Sequence, residues 1–287
     1  MMTDNPINIG VDARGDFLYA ARVSYKLGRP EIKALFRAEK TPLNQHHLLE
    51  GGNISFALPD NKVAVKKMMI KPKTDDFQQQ VFFELEHSLL EDEKNYCFDF
   101  LKNDTEEYVL GLITRRKEIE DSQTKLIDKQ SNSSIDFMCQ LRSIALAKGY
   151  LNFCRLSDNN LICLTDFNQQ LASIAFIYQN NIIDVTYMLL NKYELNHPDK
   201  IKQLAIELKT VINFKLASFY DQGITIPLSS LYISGDKSEM TTIDTFKRHF
   251  KVNIQVPEIN SSFSSDTFRP QKIAWEKYLI ALGATVN

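Results

Sequence analysis

The fold is decided near the amino terminus by the stretch Ile7-Asn8-Ile9-Gly10-Val11-Asp12-Ala13-Arg14-Gly15-Asp16-Phe17. Apolar residues alternate with polar or small ones before the central turn, and a second alternating run follows over residues 17–23, as in half-buried strands. The turn itself, residues 12–16, begins with an aspartate and contains a glycine, which favours a tight antiparallel connection. A third apolar run at residues 32–38 extends this hairpin into a predicted meander of three strands.

The same order of elements returns in the second part of the chain. An apolar run at residues 161–165 leads into the turn Asp166-Phe167-Asn168-Gln169-Gln170, and two further apolar runs follow at residues 171–178 and 182–190. The two meanders share few residues, and no tandem repeat of fixed period is present. We therefore predict two structurally similar halves, each opening with an aspartate-led hairpin.

Some of the remaining segments show the two-residue period of strands, and others show the period of about 3.6 residues that is typical of helices. Residues 54–58 and 63–70 are interpreted as a strand pair, and further strands are predicted at residues 96–101, 108–113, 230–235 and 252–256. Helices are predicted at residues 74–90, 116–129, 141–150, 198–219, 238–250 and 274–282. Thr74 is the expected N-cap of the first helix. The long helix after Pro198 is expected to bury an apolar stripe that includes Leu208.

Composition excludes several classes of protein. The 287 residues are 44% apolar, and 34 Lys and Arg residues against 36 Asp and Glu residues give a net charge of −2. This balance argues against a broad basic surface for nucleic acid. No secretory signal and no apolar run of about 20 residues is seen, so we expect a cytoplasmic protein without membrane insertion. The four cysteines lie in apolar stretches and are expected to be reduced, buried thiols.

The two meander-plus-helix halves resemble the actin-like ATPase superfamily. The segment at residues 55–67 and the closing helix at residues 274–283 resemble, within it, the cytoplasmic actin-like protein of type IV pilus assembly. The chain also resembles an uncharacterised Bacteroidetes group with an actin-like fold. The resemblance implies a two-lobed α/β, ribonuclease H-like fold. Its first lobe would span residues 1–155, with an elaborated α/β subdomain at about 50–130, and its second lobe residues 156–287.

The resemblance also implies where a nucleotide would lie. In the superfamily, ATP lies between the halves, the two aspartate-led turns hold its phosphates and Mg²⁺, and a glycine turn accommodates the adenosine. Carried onto this sequence, the candidate cofactor-binding residues come from three turns. They are Asp12, Arg14, Gly15, Asp166, Asn168 and Gly235.

All three turns depart from the pattern of that family. Arg14 stands where a glycine is expected, and Asp16 and Phe17 replace small polar residues. Leu171 removes a hydroxyl donor from the second turn, and Asp236 takes the place of a second glycine in the third. Asn168 can adopt a positive φ, as glycine does. The pattern predicts a degenerate nucleotide cleft with no catalytic residue and no metal site.

Three functions follow from these observations. The favoured one is a non-catalytic scaffold or adaptor that binds another protein and needs no cofactor. The first alternative is an ATP-binding switch of type IV pilus or type II secretion assembly, with Mg-ATP as its cofactor; the second is a small-molecule kinase. Association with a membrane complex and the oligomeric state are left open.

A partner surface is implied by the resemblance around residues 77–90. On this helix Phe82 and Phe83 point about 100° apart. We predict that one of them lies toward the edge of the apolar stripe and contributes to an exposed patch.

Overall fold

The computed structural model describes residues 7–26, 28–39, 52–70, 76–89, 91–102, 108–126, 137–154, 160–190, 198–221, 225–236, 240–259 and 274–286. The strands in these ranges are β1 (Ile7–Arg14), β2 (Phe17–Lys26), β3 (Arg29–Glu39), β4 (Gly52–Leu58), β5 (Val63–Met68), β6 (Tyr96–Lys102), β7 (Val109–Arg115), β8 (Phe137–Leu141), β9 (Leu161–Phe167), β10 (Leu171–Tyr178), β11 (Asn181–Leu189), β12 (Leu228–Gly235) and β13 (Asn253–Gln255). The α-helices are α1 (Phe77–Glu86), α2 (Arg116–Leu126), α3 (Arg142–Phe153), α4 (Pro198–Asp221), α5 (Met240–His249) and α6 (Leu279–Ala284).

Two five-stranded sheets share one topology. The first has the order β3-β2-β1-β4-β8 and the second the order β11-β10-β9-β12-β13. In each sheet the first three strands form an antiparallel meander. The last two strands then add parallel to the strand that opens the meander. The predicted two-half α/β architecture is therefore confirmed.

A third sheet, with the order β5-β7-β6, follows the first strands of the chain. The prediction that residues 54–58 and 63–70 pair with each other is wrong. All residues of β4 from Ile54 to Leu58 are buried, and β4 lies inside the first sheet between β1 and β8. A short 3-10 turn at Asp60–Lys62 then turns the chain away, and β5 pairs with β7 instead.

Helices α3 and α6 pack against each other through very small residues. A Cβ built on Gly149 would collide with the backbone oxygen of Leu279, and one built on Gly283 would collide with that of Ala145. Only glycine lets the two backbones approach this closely. Helix α6 also packs against β1 and β2, so the last helix lies on the first sheet although its sequence position falls in the predicted second lobe. The boundary between residues 155 and 156 stays a prediction.

The predicted helices are present, with differences at their ends. Leu208 on α4 is fully buried, as its stripe predicts. On α1, Phe82 is half-buried against Phe98 and Phe100, whereas Phe83 is 59% exposed, so one of the pair does lie outside the apolar stripe. The proposed N-cap Thr74 lies outside the described residues. None of the helices in the described ranges is long and apolar enough to cross a membrane.

Candidate functional site

Two buried aspartates meet between the two five-stranded sheets. Asp12 lies near the end of β1, opposite Tyr19 in the first hairpin, and Asp166 lies at the equivalent place on β9, opposite Ser173. Neither residue is exposed to solvent. The aspartate-led turns that were found in the sequence thus bring one carboxylate from each half to the same place.

Two arginines occupy the space between these carboxylates. Arg14 Nε lies 2.7 Å from Asp12 Oδ2, and its Nη2 lies 3.0 Å from Asp166 Oδ2. Arg142, the first residue of α3, places Nη1 3.1 Å from Asp12 Oδ1 and Nη2 3.0 Å from Asp166 Oδ1. Each carboxylate therefore contacts both guanidinium groups. We call these four residues, Asp12, Arg14, Arg142 and Asp166, the four-charge ring.

The four-charge ring is a neutral unit inside the protein. All four side chains are at most 2% exposed, and the two positive charges balance the two negative ones. Burial alone would lower the pKa of Arg14, but the carboxylates of Asp166 and Asp12 raise it above its ordinary value. Burial raises the pKa of Asp12, and Arg142 and Arg14 oppose that rise. Neither buried carboxylate would be tolerated as an ion without these partners.

The third predicted turn closes over the four-charge ring from β12. Ser234 Oγ donates a hydrogen bond of 2.9 Å to Asp166 Oδ2. Gly235 has a φ of 84°, and a Cβ there would lie 2.8 Å from Arg14 Nη1. The N–H of Asp236 donates to the carbonyl oxygen of Phe167 over 2.8 Å. The turn that was predicted to accommodate adenosine is therefore packed directly against Arg14.

The two aspartate-led turns also contact each other. Gly15 has a φ of 53°, and a Cβ there would lie 2.6 Å from Oε1 of Gln169. Asn168 holds the second turn through its side chain, since its Oδ1 accepts hydrogen bonds of 2.7 Å from the N–H groups of Gln170 and Leu171. Among the described residues Asn168 is not one with positive φ, so the asparagine replaces glycine by forming an Asx turn. Asp16, which was expected to face the phosphates, is exposed.

Two residues that donate hydrogen bonds to the aspartates were not predicted as site residues, namely Arg142 and Ser234. Arg142 opens a helix that is otherwise almost entirely apolar and buried. A charged residue at the start of such a run needs a buried partner of opposite sign. Together with two aspartates in apolar strands, that charge was a signal that could have revealed the ring. The nucleotide-binding role of the six predicted residues stays a prediction.

A second feature is a groove between the first and third sheets. It has a volume of about 440 Å³, and its lining is mainly apolar, including Leu58, Leu101, Leu112 and Ile144. Cys97 and Cys139 also line the groove, so they are half-buried rather than buried as predicted. Most of its lining residues come from β6 and β8, which are edge strands of their sheets within the described ranges. Edge strands carry backbone groups that can pair with another chain.

Comparison with known proteins places this geometry in context. No protein-family model matches the sequence, and no curated protein matches it either. A chain of the PilM-PilN type IV pilus biogenesis complex is similar in structure, with a TM-score of 0.72 and 15% identity over 97% of both chains. A Bacteroides thetaiotaomicron protein with an actin-like ATPase fold and unknown function gives a TM-score of 0.54, with 9% identity over 88% of this chain and 91% of that one.

A third solved structure comes from a secretion system. The cytoplasmic domain of EpsL, an inner membrane component of the type II secretion system of Vibrio cholerae, gives a TM-score of 0.50 and 10% identity. This similarity covers 98% of this chain and 95% of the EpsL domain. Sequence identities this low show the fold alone. Through its two sheets of matching topology and these similarities, the chain is shown to have the actin-like ATPase fold.

Proposed function

We propose that this protein is a non-catalytic actin-like scaffold or adaptor that binds another protein and does not use ATP. The observation that carries the proposal is the four-charge ring. Its guanidinium groups lie between the two carboxylates that, in the superfamily pattern, would face Mg²⁺ and the phosphates. The fold is thus kept while the residues of its cleft interact with one another.

The residues of the cleft fit Mg-ATP poorly. A magnesium ion would bring a charge of +2 between Asp12 and Asp166, and Arg14 and Arg142 already supply that charge at contacts of 2.7 to 3.1 Å. Mg²⁺ also keeps much of its water shell, which needs space that the buried guanidinium groups fill. Arg14 could have bound phosphate in an open cleft, but here its contacts go to the two carboxylates.

The same contacts disfavour a kinase. A general base needs a lone pair that can reach the substrate hydroxyl. Asp12 and Asp166 instead accept from two guanidinium groups each, and neither is exposed. A phosphoryl-transfer mechanism through either carboxylate would first require the four-charge ring to be broken. We therefore rank the small-molecule kinase below the scaffold.

A partner protein is supported by analogy with the similar structures. One belongs to a pilus biogenesis complex, and another is a component of a secretion system at the inner membrane. By this analogy we place the protein in the cytoplasm, where it would bind a segment of a larger complex. The surface that we assign to the partner is the exposed side of α1, with Phe83, together with the edge strand β6, whose Phe98 and Phe100 contact α1 and also line the groove between β6 and β8. An extended segment can pair with edge strands of this kind.

Calorimetric titration of the purified chain with Mg-ATP tests the proposal. We expect no binding at cellular nucleotide concentration. A Kd of about 50 μM or tighter, near −6 kcal/mol, would contradict the scaffold and favour the ATP-binding switch. In that case Asp12→Asn should weaken the binding, since Asp12 would have to leave the four-charge ring to face the metal. Asp16→Asn is the matched control, because Asp16 is exposed and lies outside the ring.

A further inference from the structure

The four-charge ring joins parts of the chain that belong to different halves. Asp12 and Arg14 lie on β1 of the first sheet, Asp166 lies on β9 of the second, and Arg142 starts α3. Helix α3 itself packs against β8 of the first sheet and against β10 and β11 of the second. Every contact between Arg14 and Asp166 is therefore a contact between the two sheets.

Losing one member of the four-charge ring would destabilise the arrangement in which the two sheets lie close together. A complete ring is neutral, and each carboxylate accepts from two guanidinium groups. Without Arg14, the same buried space would hold two carboxylates and one guanidinium, a net charge of −1. An uncompensated buried charge is costly, and the cost is relieved either when a carboxylate takes up a proton or when a conformation exposes it to water. For this space, such a conformation is one in which the two sheets move apart.

The surrounding contacts fix the same closed geometry. Gly15 lies against Gln169 across the gap between the two turns, and Gly235 lies against Arg14. Planar guanidinium groups that bridge two carboxylates also restrict the relative orientation of the strands that carry them.

We propose that the four-charge ring is a permanent clasp that holds the two halves closed in the absence of any ligand. This inference goes beyond the proposed function, because it concerns the conformation of the free protein rather than its lack of ATP binding or its partner. The closed state is conditional on the ring being complete, in its charge balance and in the guanidinium bridges between the two carboxylates.

Hydrogen exchange of the ligand-free full chain, read by mass spectrometry, tests the clasp. The reporters are peptides that cover the two aspartate-led turns, residues 13–17 and 167–171, and a peptide from α4 serves as the internal reference. We expect Arg14→Gln to speed exchange at both turns by at least about tenfold while exchange in α4 stays unchanged. Unchanged protection of both turns in Arg14→Gln would overturn the proposal.

Arg115→Gln is the matched control, since it removes an arginine whose ion pair with Glu91, at 2.7 Å, is on the surface. It should exchange as the wild type does.

If Arg14→Gln does not fold, the charge-balanced variant Arg14→Gln with Asp166→Asn replaces it, because that space then keeps one positive and one negative charge. This variant should fold because its buried charges balance, and it should still exchange faster at both turns because the Arg14 bridge between the two halves is lost. Wild-type protection in it would overturn the clasp. Nucleotide binding by the wild type would contradict only the proposed function.

Discussion

The buried carboxyl group of Asp60 lies at the start of α3, although Asp60 itself belongs to the 3-10 turn before β5. The N-cap position of α3 is Leu141, which offers no side-chain acceptor. Oδ1 of Asp60 accepts a hydrogen bond of 3.0 Å from the N–H of Ser143, although the two residues are 83 positions apart. The first N–H groups of a helix have no partner within the helix, so this carboxylate satisfies one of them.

The free energy of unfolding should report the titration of Asp60. Burial raises its pKa above the ordinary 3.8, although the Ser143 N–H and Arg142 favour the charged form. The native state then holds a proton that the unfolded chain has already lost, so this contribution to stability falls as pH rises through the window above 3.8. The amide of Asp60→Asn does not titrate, so the variant lacks this pH dependence of the free energy of unfolding. We expect the variant to gain stability relative to the wild type as pH rises above about 3.8, the ordinary pKa of the side chain.

Urea unfolding at a series of pH values measures this difference, and taking it against the wild type cancels the other titrating groups. Asp16→Asn is the control, because Asp16 is exposed. A stability difference for Asp60→Asn that stays constant with pH, or that moves against the variant as pH rises, would contradict the assignment.

At the scale of elements, α4 offers two aliphatic residues of the same helix in opposite environments. Leu208 is fully buried, whereas Ile206 is 48% exposed. Leu208→Ala should lower the free energy of unfolding by about 2–5 kcal/mol, because it removes buried methyl groups and leaves a cavity. Ile206→Ala should cost less than about 1 kcal/mol. Equal losses in denaturant unfolding would mean that the buried stripe of α4 is placed wrongly.

At the crossing of α3 and α6, the effect of Gly149→Ala on stability shows whether helix propensity or overpacking is larger. By helix propensity alone, Gly149→Ala would stabilise the protein by roughly 1 kcal/mol. The added Cβ, however, would collide with the backbone oxygen of Leu279 on α6. Overpacking of this kind typically lowers the free energy of unfolding by about 1–3 kcal/mol, so we expect a net loss of stability. A shift of the denaturation midpoint toward higher stability would show that the two helices have room to separate.

The limits of prediction from sequence are also clearest at this scale. Alternation predicted β4 and β5 as strands, but it carried no information on which sheet each would join. The aspartate-led turns revealed Asp12 and Asp166 because a turn is a local motif. The partners of Arg142 lie 130 and 24 residues away, so the apolar helix that it opens marks it as a buried charge but does not identify its partners. The placement of α6 on the first sheet depends likewise on a distant residue, Gly10 of β1, where a Cβ would collide with the backbone oxygen of Ala281.

At the scale of the whole molecule, the four-charge ring fills the cleft, so we expect a partner to bind on the outer surface. Two phenylalanines are strongly exposed on two different helices. Phe83 lies on α1 beside the third sheet and is 59% exposed, with its ring 4.0 Å from that of His87. Phe214 lies on α4 beside the second sheet and is 74% exposed. Aromatic residues of this kind often dominate the binding energy of an interface.

These two residues allow the position of the partner surface to be tested directly. If the partner binds on the side of the third sheet that carries α1, Phe83→Ser should reduce its capture from an extract of the native cells by about tenfold or more, which corresponds to a hot-spot loss. Phe214→Ser should leave capture at the wild-type level. Both side chains are exposed, so neither substitution should change the unfolding curve, and quantitative mass spectrometry of the captured proteins then compares binding alone. The reverse pattern would move the partner surface to the second half. Capture that is insensitive to both would contradict the assignment of the partner to α1, because a segment bound beside that helix could not avoid the exposed ring of Phe83.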